Sequence, residues 1–246
     1  LPGIELAMTT NGALLGQKAE ILKRAGLDRV TVSLDSLDEE TFAKINGVNF
    51  PLSKVLKGIK TAQVAGLTPI KVNMVVKRGL NEDSILPMAR YFYGTDYILR
   101  FIEYMDVGTS NGWQLKDVVP AAEIIAGINA KMPLEPLNPN YRGEVANRWR
   151  YRDGGGEVGI IASVTQPFCG DCSRIRISAE GKLYTCLFAS QGHDFRQLLR
   201  DGATDAEIFA LDQSLRYQYT PSLPRSAEAL SRNESATTEN QIVVTE

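Results

Sequence analysis

Cysteine is scarce and confined: of 246 residues only Cys169, Cys172 and Cys186 carry a thiol, and none precedes Cys169. An odd count, with no leader-like apolar stretch, argues against the disulfide framework of an exported domain. Histidine is scarcer still, with His193 alone in Gln191-Gly-His-Asp. A lone histidine of that kind reads as a surface or helix-entry residue before it reads as a ligand. No run of about 18 apolar residues occurs, which excludes a membrane-spanning helix on length. Charge of one sign is lacking too. A net charge of −2 provides no bulk attraction to nucleic acid or to an anionic membrane, so any anion site must be local. Hydrophobic content of 43% and charged content of 23% suit a globular chain with a large core. Clustered thiols without a signal segment fit a reducing cytoplasm.

The three thiols lie in Phe168-Cys-Gly-Asp-Cys-Ser-Arg-Ile-Arg-Ile and the following Gly181-Lys-Leu-Tyr-Thr-Cys-Leu-Phe. Two thiols separated by two residues can turn toward one ion, and a third returning after a hairpin can close around it. An iron–sulfur cube held by three thiolates keeps one iron free for a substrate atom, whereas structural zinc normally takes a fourth protein ligand. A zinc half-site completed by His193 or a carboxylate is the rival reading.

Upstream, strand and helix patterns alternate. Ile4–Thr9 reads as a strand, Gln17–Ala25 as a helix ending at Gly26, and Arg29–Leu34 as a β-branched strand. Helices are expected around Glu39–Ile45 and over Pro51–Ala65, where Leu52, Val55, Leu56 and Ile59 share a face. Ile70–Val76 and Tyr97–Ile102 read as strands flanking a helix over Asp83–Tyr93. Strands separated by helices imply parallel pairing, as in a barrel or a doubly wound sheet. Thr9, Asn11, Ser33, Asp35, Glu103 and Asp106 cluster at the strand ends, where barrel sites are built; turn-making and helix capping are the competing explanation. Beyond Asn111 the pattern changes. A helix over Pro120–Lys131, a proline-rich connection over Pro133–Pro139 and short strands at Val158–Ser163, Arg174–Ser178 and Leu183–Cys186 suggest a smaller domain. The last residues, from about Ser222, are rich in Ser, Glu, Asn and Thr and read as disordered.

Read in order, Thr9-Thr-Asn-Gly, Val32-Ser-Leu-Asp, Lys71-Val-Asn, Arg100-Phe-Ile-Glu-Tyr-Met-Asp-Val-Gly and the three-cysteine segment closely resemble the molybdenum cofactor biosynthesis protein A family, the GTP 3′,8-cyclases. The resemblance runs from about Ile4 to Leu211. It implies an α/β fold: an incomplete parallel (β/α) barrel of the radical S-adenosylmethionine type, lacking its first strands, with a small C-terminal cluster-binding domain. The expected domains are 1–112 for the partial barrel, 113–221 for the substrate and iron–sulfur domain, and 222–246 for a disordered tail. The implied activity converts GTP to (8S)-3′,8-cyclo-7,8-dihydroguanosine 5′-triphosphate, a lyase reaction of molybdenum cofactor synthesis. An external electron donor and a homodimer belong to the same implication, with neither nucleic acid nor membrane as partner.

By position, Cys169, Cys172 and Cys186 look like ligands of a C-terminal [4Fe–4S] cluster. Thr9, Lys71, Arg100, Arg174 and Arg176 match GTP contacts, and Ser33 and Met105 match residues lining S-adenosylmethionine. The family's radical-generating [4Fe–4S] cluster is held by a Cys-x3-Cys-x2-Cys strand, followed by a Gly-Gly-Glu-Pro strand; this chain begins after both and ends in Ile242-Val-Val-Thr-Glu where the family has Gly-Gly. A truncated chain is therefore expected, unable to turn over alone. The alternatives are an inactive GTP- and iron–sulfur-binding module and a zinc-stabilised structural domain.

Overall fold

A computed structural model describes residues 3–47, 50–105, 112–166, 172, 174–189, 191–218 and 241–245; of 212–218 and 241–245 it describes the backbone alone. The first half follows the alternation of the sequence. β1 (Glu5–Thr10), α1 (Leu15–Arg24), β2 (Arg29–Ser33), α2 (Glu39–Asn46), α3 (Leu52–Val64), β3 (Lys71–Val76), α4 (Ile85–Phe92) and β4 (Ile98–Glu103) succeed one another. Then come α5 (Ala121–Asn129), β5 (Leu134–Pro136), β6 (Asn147–Tyr151) and β7 (Glu157–Ile161).

Strand alternation decides how this part packs. Val30 and Val32 of β2, Val72, Met74 and Val76 of β3, Leu99 and Phe101 of β4, and Val158 and Ile160 of β7 all point to one side and are buried. Against them lie Leu15 and Ala19 of α1, Val55, Ile59 and Ala62 of α3, Met88 and Phe92 of α4, and Ile124 and Ile128 of α5. The helices seal that face of the sheet, and the connections between parallel strands supply them. Gly58 lets α3 approach α1 closely: a Cβ there would lie 3.2 Å from the Gly12 carbonyl oxygen and 3.3 Å from the Gly16 nitrogen.

The sheet runs β11-β1-β2-β3-β4-β7-β6-β5, parallel from β11 (Gln241–Thr245) through β7 and antiparallel from there to β5. Among the described residues its outermost strands are not paired with each other, in keeping with an incomplete barrel. Two expected boundaries differ. The chain divides into one compact unit of Leu1–Met105, Trp113–Pro167 and Thr238–Glu246 and a second of Asp106–Gly112 and Phe168–Thr237, so the chain returns to the first unit from Trp113 to Pro167. The physical reason is hydrogen bonding: β7 continues the parallel sheet beside β4, and β6 and β5 hairpin back onto it. The proline-rich connection thus contains β5, whose Leu134 pairs with Tyr151. At the other end, the expected tail closes in β11, paired with β1 from Glu5 opposite Gln241 to Thr9 opposite Thr245. The β-branched run at 242–245 suits a strand. Residues 219–240 lie outside the described residues.

The second unit has its own small sheet, β10-β9-β8, from β8 (Arg176–Ile177), β9 (Lys182–Tyr184) and β10 (His193–Asp194), all antiparallel. Two helices that the sequence pattern did not announce follow, α6 (Phe195–Arg200) and α7 (Asp205–Gln218). Asp194 caps α6 by accepting from the Gln197 N–H at 2.8 Å. Leu183 and Phe195 form the core of this unit, with Ile175, Ile208 and Leu211 packed against them. Among the described residues no helix is long and apolar enough to cross a membrane.

Candidate functional site

The side of the sheet away from the helices is polar, and the same alternation that buries the valines produces it. Glu5 and Thr9 of β1, Arg29, Thr31 and Ser33 of β2, Lys71 and Asn73 of β3, and Arg100 of β4 all lie on that face. Register then brings them together. Thr9 is opposite Thr31 and Thr31 opposite Lys71, while Ser33 is opposite Asn73 and Asn73 opposite Arg100. Four residues expected from the sequence, Thr9, Ser33, Lys71 and Arg100, therefore share one surface.

Arg100 is fixed by its neighbours. Its Nε donates to Asn73 Oδ1 at 2.8 Å. Across the sheet it faces Gly159, the one residue type that leaves room for its stem. Burial is the main influence on its guanidinium and brings its pKa down to about 10; Arg29 acts in the same direction, opposed by Tyr141 and Glu144. Lys71 is lowered to about 8, first by burial and then by the charges of Arg100 and Arg29, against Glu144 and Glu5. Two half-buried cations, both depressed by Arg29 and one of them also by the other, form a site that favours an added anion.

Sequence reasoning missed Arg29, Asn73 as a positioning residue, and Glu144. Arg29 is 7% exposed, and its Nε pairs with Glu5 Oε1 at 2.8 Å. Its signal was present in the Arg-x-Thr-x-Ser alternation of β2, which places it on the face of Ser33.

The other strand-end polar residues divide differently. Glu103 falls on the helix side with Leu99 and Phe101 and is completely buried. Its carboxylate accepts from the Ala121 N–H at 2.7 Å, the Val164 and Thr165 N–H groups at 2.7 and 2.8 Å, and the Thr165 hydroxyl. It is a structural clamp, not a ligand group. Asn11 makes a local turn, accepting from the Ala13 N–H at 2.9 Å. Asp35 accepts from the Val75 N–H at 2.8 Å, and burial raises its pKa to about 6 against that hydrogen bond. Met105 follows β4 and is half-buried. Asp106 lies outside the described residues.

In the second unit, Cys172 and Cys186 are both free thiols, and Cys169 lies outside the described residues. Burial raises the Cys172 thiol, but the backbone N–H, side chain and charge of Arg174, together with the charge of Arg176, outweigh it and hold it below the ordinary thiol range. Arg176 is depressed by burial and by Arg174, and raised by Cys172 and Cys186. Its Nη1 is buried with no partner among the described residues. Beside it an open cavity of about 380 Å3 is lined by Arg176, Tyr184, Cys186 and Leu187 among others. A Cys172 thiol biased toward thiolate and flanked by guanidinium groups suits a soft, anionic metal cluster. His193 is exposed in β10, opposite Leu183. Among the described residues no group of three His, Cys, Asp or Glu side chains is placed to hold a metal ion.

Residues 97–219 match the family described as Molybdenum Cofactor Synthesis C, and residues 1–92 match the Radical SAM superfamily. The chain belongs to the Molybdenum Cofactor Synthesis C family. Relatives named GTP 3′,8-cyclase include one from Acidothermus cellulolyticus, 54% identical over 217 residues, which covers 87% of this chain and 60% of the relative. Another, from Xanthomonas campestris pv. campestris, is 52% identical over 203 residues, 82% of this chain and 60% of the relative. A third, from Staphylococcus saprophyticus, is 43% identical over 211 residues, covering 85% and 62%. The chain thus spans about 60% of the length of these curated relatives. Among solved structures, a radical SAM methyltransferase from Sphaerobacter thermophilus is similar at TM-score 0.41 and 16% identity, over 50% of this chain and 36% of that one.

Proposed function

We propose that this Molybdenum Cofactor Synthesis C family chain carries the GTP-binding and cluster-binding residues of a GTP 3′,8-cyclase. The observation that carries the reading is the gathering of Lys71 and Arg100 on the polar sheet face, where the chain's net charge of −2 is locally reversed. A triphosphate needs cations that converge, and Lys71 and Arg100 supply two. Thr9 supplies a hydroxyl in the same row; in the second unit Arg174 and Arg176, beside Cys172, are further candidate GTP contacts. Guanidinium groups match phosphate oxygens in pairs, while the Lys71 ammonium acts as a point charge. Ser33 and Met105 are the candidate contacts for S-adenosylmethionine.

Cys172 and Cys186, with Cys169, would hold a [4Fe–4S] cluster, with Arg174 and Arg176 balancing its negative charge. The chemistry supplied by S-adenosylmethionine and the clusters of such enzymes, when bound, is one-electron cleavage to a carbon radical that takes a hydrogen atom from GTP, with the electron coming from an external donor. The part of this chain's residues is to hold and orient: the cations the phosphates, Asn73 the Arg100 guanidinium, and Glu103 the segment leading toward the cysteines.

Anaerobic reconstitution of the 246-residue chain tests the reading through iron content and calorimetry with GTP. Cys169→Ser, Cys172→Ser and Cys186→Ser should each sharply lower iron. Lys71→Ala and Arg100→Ala should each weaken GTP by roughly tenfold or more, since a charge-assisted hydrogen bond is worth on the order of 1.5–3 kcal/mol. Zinc in place of iron and sulfide, with no GTP binding, would overturn the proposal in favour of a zinc-stabilised structural domain.

A further inference from the structure

Arg29 is the buried cation of the polar face that the family resemblance leaves without a role. It stands two residues before Thr31 on the same face, and Thr31 is opposite Lys71, so Arg29 and Lys71 are diagonal neighbours on adjacent strands. Its charge reaches both Lys71 and Arg100, each of which it depresses. Its Nε is satisfied by Glu5 at 2.8 Å, but Nη2 is sealed from water with no partner among the described residues. A guanidinium N–H left in that condition costs free energy comparable to a lost charged hydrogen bond, and native proteins seldom tolerate it without a purpose. The partner it does have is movable. The Glu5 side chain is 40% exposed and sits on β1, toward the edge of the parallel sheet, whereas the Arg29 side chain is 8% exposed. Among the described residues, Glu144 opposes the depression of both Lys71 and Arg100, while Glu5 opposes that of Lys71 and pairs with Arg29.

We propose that Arg29 is a third phosphate-binding residue of this face and that Glu5 is its built-in competitor, a carboxylate holding the guanidinium until phosphate oxygens of a polyphosphate ligand replace it. A carboxylate and a phosphate present the same paired oxygens to a guanidinium, so exchange preserves the geometry while the added anion also meets Nη2 and Lys71. The inference rests on the GTP reading for the identity of the ligand, but its recognition chemistry is that of a polyphosphate alone.

Calorimetry on the full chain with inorganic tripolyphosphate, GTP and guanosine separates the two. Arg29→Ala should weaken tripolyphosphate and GTP by about tenfold and leave guanosine unaffected. Arg29→Lys should recover part of the loss. Glu5→Gln should strengthen tripolyphosphate several-fold, because the competitor is gone; a merely structural ion pair would lower the melting temperature in both variants and strengthen nothing. Wild-type binding of tripolyphosphate with no change in Arg29→Ala would overturn the proposal and leave the GTP reading standing. Tripolyphosphate binding that follows the expected pattern without any binding of GTP would uphold the proposal and overturn that reading. A wild-type chain that binds neither would overturn both.

Discussion

Arg100 and Gly159 face each other across β4 and β7, and the arginine stem occupies the space where a side chain at 159 would begin. A Cβ there would lie 3.0 Å from Arg100 Cγ and 3.4 Å from its Cδ. The glycine is thus a cradle for the cation, and its backbone conformation is otherwise unexceptional.

Gly159→Ala should therefore push the Arg100 side chain by a few tenths of an ångström and strain its bond to Asn73. Gly159→Val should displace it. Tripolyphosphate affinity is expected to fall modestly in the first and by about tenfold in the second, with Asn73→Ala resembling the alanine variant. Unchanged affinity in Gly159→Val would show that Arg100 does not meet the anion.

Lys71 links this face to pH. Its pKa is lowered from 10.5 to about 8, so the unfolded chain holds the proton more tightly than the folded one. Stability of the ligand-free protein should then rise as pH increases from about 8 to 10.5, and the cost of the buried ammonium is fully present below 8. Anion affinity should run the opposite way, falling above about pH 8 as the ammonium is lost. Lys71→Met is expected to stabilise the ligand-free chain near pH 7 by on the order of 1–2 kcal/mol after solvent screening, and to flatten the affinity profile above pH 8. Chemical denaturation and calorimetry across pH 6.5 to about 10 check both.

Asp35 has the opposite sign of shift. Raised from 3.8 to about 6 by burial, it takes up a proton more readily folded than unfolded, so its cost appears as pH rises from 3.8 to 6 and is complete above that. Asp35→Asn keeps an acceptor for the Val75 N–H and removes the charge. We expect it to match wild type near pH 4 and to exceed it at pH 7.5 by on the order of 1–2 kcal/mol. A less stable variant at pH 7.5 would mean that the negative charge itself is needed at this strand end.

Glu103→Gln should behave quite differently. The carboxylate of the fully buried Glu103 accepts three N–H groups and a hydroxyl, and an amide would present its own donors to some of them. A loss of about 2–4 kcal/mol is expected, read as a lower urea midpoint at unchanged slope. The connection through Val164 and Thr165 should loosen as well, giving faster amide exchange at those residues.

The core of the first unit was legible because two periodicities overlap cleanly. Val30 and Val32, Val72 and Met74, and Leu99 and Phe101 alternate with polar residues, and the helices between them repeat their apolar residues at three and four. Strand-end position alone groups Glu103 with Thr9 and Ser33, although the alternation of β4 puts it on the helix side, opposite Val76. β5 and β6 were not legible, since β5 is three residues long and ends in Pro136, and the alternation of Trp149 and Tyr151 with two arginines in β6 is too short to stand out. They exist because β7 offers an edge to pair with.

The sequence by itself determined the alternation of strands and helices, the confinement of all thiols to one segment and the positions of Lys71, Arg100, Arg174 and Arg176, because these are matters of spacing along the chain. Only the tertiary structure decided which of them meet. Register across β1, β2, β3 and β4 is set by hydrogen bonds between residues far apart in sequence, and it alone places Arg29 diagonal to Lys71, Asn73 against Arg100 and Gly159 beneath the arginine stem. Pairing of β1 with β11 joins residues 5–9 to 241–245, a separation over which local pattern carries no information about partners.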